Sequence, residues 1–164
     1  MSERGNELAA KAEKSYAELI EFLQSLNEAD LKAPCDDPAG TTVGAVAGHL
    51  ADGAEHLFSW GATVLHGGGG EGAAPSEHSH DTPVIATATQ LNDAVALFNR
   101  AGTAAISLLR FLTDEQLDGM PPAAEGISDG TATLAQVIDE LMEHQTEHVR
   151  FMRDAVAKQA AARE

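Results

Sequence analysis

The chain has a single cysteine, Cys35, among 164 residues, so it can neither close an internal disulfide nor build a thiolate-rich zinc site alone. Basic residues are scarce too. Ten Lys and Arg against 26 Asp and Glu give a formal charge of -16, which repels phosphate backbones and anionic membranes and argues against nucleic acid as a partner. No stretch reaches the roughly 18 apolar residues of a membrane span, and Met1 to Leu26 hold no apolar core of signal-peptide length. A cytoplasmic protein with no membrane partner is expected. Aromatic residues are only 4% of the chain, so small and aliphatic side chains must fill the interior, as in closely packed helices. The length suits one domain, 1–164, large enough to bury a continuous core.

What is present is helical periodicity. Ala12, Tyr16, Leu19, Ile20, Leu23 and Leu26 recur at three- and four-residue steps and predict a first helix from about Asn6 to Leu26. A linker with Pro34, Asp36, Asp37, Pro38 and Gly40 follows, and Thr42 is placed to cap a second helix reaching about His66. Its stripe includes Val43, Val46, Leu50, Ala54 and Leu57. Gly67 to Pro83 is glycine-rich, polar and long for a helix connection, and is expected to be flexible. Leu91, Val95, Phe98, Ile106 and Leu109 mark a third helix. Thr113 with Gln116 and Thr133 with Gln136 are capping boxes, the first for one short extra turn, the second for a fourth helix carrying Val137, Leu141, Val149 and Met152. The tail, 158–164, is expected to fray. Strand signals are absent. "LNEADLKAP" before "GTTVGAVAGHL" is echoed by "LTDEQLDGMP" before "GTATLAQVIDEL", so each half reads as helix, loop, helix. Two such hairpins bury their apolar stripes only against each other, which predicts an all-α, pseudo-symmetric four-helix bundle.

The chemistry concentrates in "LMEHQTEHVRF". His144 and His148 lie about 40° apart in projection with Cβ atoms about 5 to 6 Å apart, at the edge of the apolar stripe, so both rings reach one ion. A catalytic cation commonly takes three protein ligands and leaves a position open. His49, at the flank of the second helix's stripe, is the third candidate, with His56 seven residues on as an outer ligand or pocket residue. Asp52, Glu140, Glu143 and Glu147 lie within a turn of these histidines and are the candidates for orienting them. Arg150 and Arg153 either steer an anionic substrate or pair on the surface with Glu147 and Asp154.

Other signals are weaker. "GGGGEG" satisfies G-x-G-x-x-G at Gly67, Gly69 and Gly72 but follows a helix, where the dinucleotide fingerprint needs a strand. His78 and His80 sit in a loop with little preorganisation. Cys35 is flanked by carboxylates that disfavour its thiolate. H-E-x-x-H is absent, and the one Glu-x-x-His spacing, Glu77 to His80, falls in the loop, which speaks against di-iron chemistry.

"TTVGAVAGHLADGAEHLFSW" and "TLAQVIDELMEHQTEHVRFM" together resemble the DinB/YfiT-like superfamily and its relatives, the mycothiol-dependent maleylpyruvate isomerases. The shared pattern is one histidine on the second helix and H-x-x-x-H on the fourth, here His49, His144 and His148. The resemblance implies an up-down-down-up four-helix bundle, frequently a homodimer, with a divalent metal on a histidine triad. It also implies transfer or isomerisation using a small-molecule thiol such as mycothiol, bacillithiol or glutathione, acting on an electrophile. In the isomerase branch a glutamate precedes the last histidine by four residues; here that place is His144, and Glu140 repeats the spacing one turn earlier as an alternative ligand. Zinc is the first choice of metal and nickel the second, since imidazoles suit both. A metal-dependent hydrolase on the same site, and a non-catalytic metal-binding or protein-interaction bundle, are the alternatives.

Overall fold

Helix after helix begins where the chain supplies an oxygen for its first free amides. In the computed structural model, which describes residues 2–65, 83–124 and 127–163, Ser2 caps α1 (Glu3–Gln24). Asn27 closes a capping box with Asp30 on the short α2 (Glu28–Leu31). Thr42 accepts the Ala45 amide at the start of α3 (Val43–Leu65). Capping boxes follow at Thr87 with Gln90 on α4 (Ala88–Phe111), Thr113 with Gln116 on α5 (Asp114–Asp118) and Thr133 with Gln136 on α6 (Leu134–Ala161).

The four long helices form a closed set of neighbours: α1 and α3 each pack against both α4 and α6. The sequence repeat has a structural counterpart in α2 and α5, each a capped single turn that buries its last leucine, Leu31 or Leu117. The protein is mostly helical, as expected, but the expected absence of strands is corrected. Within the linker, β1 (Pro34–Asp37) pairs antiparallel with β2 (Gly40–Thr42). Four- and three-residue strands are too short to register as a periodic pattern.

The apolar interior is divided in two. A larger cluster gathers Leu19, Leu23, Val43, Val46, Phe98 and Met152. A smaller one, formed by Leu8, Ala12, Leu109, Leu112, Leu117 and Leu134, lies where α5 meets α1 and α6. Between the levels of Ala12 and Leu19 on α1, the Ser15 hydroxyl accepts a hydrogen bond from Gln145 of α6 at 2.8 Å. His144 follows the same division on α6, after the smaller cluster's Met142 and before the larger cluster's Val149.

Two glycines one turn apart on α3 admit a close crossing. Side chains at Gly44 and Gly48 would collide with the backbone carbonyls of Ile85 and Pro83, and the Ile85 amide donates to the Gly44 carbonyl at 3.0 Å. At the C-terminus α6 continues through Ala161; Lys158 bonds Asp36 at 3.0 Å and Gln159 donates to the Ala29 carbonyl at 3.2 Å. The segment 67–82, with the "GGGGEG" run, His78 and His80, lies outside the described residues.

Candidate metal centre

His49 stands in the second turn of α3, and His144 and His148 stand one turn apart on α6. Because α3 packs on α6, the half-apolar edges that carry the three residues face each other. The rings converge: centroids are 5.1 Å apart for His49 and His148, 6.0 Å for His49 and His144 and 4.2 Å for His144 and His148. One nitrogen from each ring lies within 4.8 Å of those of the other two, and among the described residues no other group of three or more His, Cys, Asp and Glu side chains comes together in this way. His144 Nε2 and His148 Nε2 are 2.9 Å apart.

Burial is graded across the cluster. His148 is buried, His49 half-buried and His144 exposed, so the group is closed behind His148 and open at His144. Burial holds the His49 and His144 imidazoles below the usual histidine range, and the neighbouring rings push in the same direction. Neutral imidazoles are the form that ligates a metal, and an environment that disfavours protonation keeps the rings in that form. Three nitrogen donors from two rigid helices, one side closed and one open, fit a divalent metal.

The residue that backs this cluster is absent from the sequence-based candidates. His148 Nδ1 and Asp37 Oδ2 share a hydrogen bond of 2.6 Å, with only 6% of the histidine side chain and none of the aspartate exposed. The carboxylates expected in that role sit elsewhere. Glu140, Glu143 and Glu147 are exposed on α6, and Glu147 instead pairs with Arg150 at 3.5 Å. Glu140, the alternative ligand, and His56, half-buried on α3, both lie outside the cluster. The Asp52 charge is a minor upward influence on His49. Arg150 stacks over Phe151 at 4.8 Å and Arg153 over Phe22 at 5.1 Å, surface roles rather than site roles. Cys35 is buried, and burial pushes its thiol up against the opposing hydrogen bond with the Asp37 backbone, which leaves it a poor nucleophile.

Residues 12–152 match the family model of the DinB superfamily. The chain belongs to the DinB superfamily. Comparison with curated proteins and with solved structures gave no match. In this DinB chain the matched region contains all three histidines and Asp37, so the hairpin and the cluster fall within it. No helix among the described residues is long and apolar enough to cross a membrane.

Proposed function

We propose that this protein is a metal-dependent enzyme in which His49, His144 and His148 hold one divalent ion, zinc by preference and nickel second, for thiol-dependent transfer or isomerisation. The observation that carries the reading is the convergence of three imidazoles from α3 and α6 with burial decreasing from His148 to His144. A bound divalent ion would act as a Lewis acid, lowering the pKa of a small-molecule thiol at its open position so that thiolate is available at neutral pH. The chain's own part is positional: α6 sets two rings one turn apart, α3 brings the third, and the buried side keeps water away from His148. The proposal takes the four long helices as an up-down-down-up bundle, and extends to a cytoplasmic homodimer acting on an electrophile.

The experiment is elemental analysis of the tag-free protein beside the His144→Ala, His148→Ala double variant. The wild type should retain about one ion per chain and the variant none; equal metal content in the two would end the proposal. With metal confirmed, turnover is sought with mycothiol, bacillithiol and glutathione against model electrophiles. Turnover without any thiol would mark a hydrolase instead, and bound metal with no turnover on either substrate class would mark a metal-binding module.

A further inference from the structure

We propose that Asp37 is the positioning residue of this centre, holding His148 as the Nδ1–H tautomer so that Nε2 faces the ion without a proton. The inference deepens the metal-centre reading and rests on it for its consequence, though not for its geometry.

The hairpin aims this carboxylate. Side chains alternate along β1, where Cys35 and Asp37 are buried and Pro34 and Asp36 exposed. Asp36 therefore turns outward to Lys158 at 3.0 Å while Asp37 turns inward to His148. Both ends of the hairpin contact are thus on α6, ten residues apart, and they fix β1 against the helix that carries the ligand.

Both oxygens of Asp37 are engaged. Oδ1 accepts the Ala39 amide at 2.7 Å, an Asx turn that locks the side-chain torsion, and Oδ2 takes the His148 Nδ1 hydrogen at 2.6 Å. An ionised carboxylate only accepts hydrogen bonds, so the proton between them belongs to Nδ1. Complete burial removes water as a competing partner. With one proton committed to Nδ1, the second nitrogen of a neutral ring keeps its lone pair. That nitrogen is the one 2.9 Å from His144 Nε2, on the side where the cluster converges.

The turn alone does not call for an acid. Asparagine caps the same turn through its amide oxygen, and a buried carboxylate costs desolvation that an amide avoids. What the carboxylate adds is an acceptor with no donor alternative, directed at Nδ1. In Asp37→Asn the oxygen can keep the Ala39 bond, while the amide group facing His148 donates and favours the opposite tautomer, with the proton on Nε2.

The test uses the full-length, metal-free protein at pH 8, with ring tautomers read from long-range 1H–15N correlation spectra and Zn2+ affinity read by competition with a chromophoric chelator. The wild type should show His148 protonated at Nδ1 and bare at Nε2. Asp37→Asn should move the proton to Nε2 and weaken Zn2+ binding by about 10–100-fold, with unchanged circular dichroism. A proton on Nε2 in the wild type overturns the proposal, and this spectrum needs no variant to fold. An Asp37→Asn protein that keeps both the wild-type tautomer and the wild-type Zn2+ affinity overturns it as well. Absence of Zn2+ binding in both proteins fails the metal-centre reading instead, and the spectra alone then decide whether Asp37 sets the tautomer.

Discussion

The same substitution on the same helix is expected to have opposite effects at Gly48 and Gly53. A Cβ at Gly48 would overlap the Pro83 carbonyl oxygen and lie 2.9 Å from its carbon, whereas one at Gly53 meets nothing within 4 Å among the described residues. For Gly48→Ala, residues 83–85 must retreat until the carbonyl regains ordinary separation of about 3.5 Å. That movement breaks the Ile85 amide bond to Gly44, a loss of about 0.5–1.5 kcal/mol. It also uncovers Ile85, now 6% exposed, at roughly 1.5–3 kcal/mol for full exposure. Against these stands a gain of about 1 kcal/mol from replacing a helical glycine by alanine. The net is a destabilisation of about 1–3.5 kcal/mol for Gly48→Ala, by combining those magnitudes. Gly53→Ala keeps only the gain and should be more stable by about 0.5–1 kcal/mol. Urea denaturation of wild type and both variants measures the two signs directly, and at about 2–4 °C per kcal/mol the thermal midpoints should separate visibly. Two variants shifted in the same direction would refute the close crossing of 83–85 over α3.

Acid should weaken the metal-free protein through its histidines. His49 and His144 are held below the usual value of 6.5 in the fold, so the unfolded chain takes up protons where the native chain does not. Their contribution is complete above 6.5 and is lost as pH falls from there toward the depressed native values. Denaturation midpoints at pH 7.5 and 5.5 should therefore fall further for wild type than for a His49→Gln, His144→Gln variant, and an equal fall would refute the shift. Leu117→Ala opens the fully buried centre of the smaller cluster and should cost about 2–5 kcal/mol, with Zn2+ stoichiometry by titration unchanged. Thr133→Ala removes the cap that accepts the Gln136 amide on α6 and should cost about 1 kcal/mol in urea denaturation; no measurable loss would show that the capping box is replaced by solvent.

The parts of the molecule visible in the sequence are those governed by local rules. Thr42, Thr113 and Thr133 announce their helices because a cap and its amide are three residues apart, and each acts as expected. The four stripes show because 3.6-residue periodicity repeats over many turns. His144 and His148 follow from one helix's geometry, and His49 from the edge of another's stripe. Asp37 was not visible because it lies 111 residues from His148 in the chain and belongs to a strand too short for any pattern. Neighbours in sequence misled in the complementary way. Glu143 and Glu147 precede His144 and His148 by one residue, and on a helix adjacent residues point about 100° apart, so they face solvent.

The split of the interior at the level of the histidines gives the molecule two separately adjustable halves. Drift in the leucines around α5 changes how firmly the chain stays folded while His49, His144 and His148 keep their spacing. Change around the exposed ring of His144 alters which molecules gain access without loosening the distant leucines. A lineage built on this plan can alter the surroundings of the three imidazoles and recover lost robustness at the opposite end.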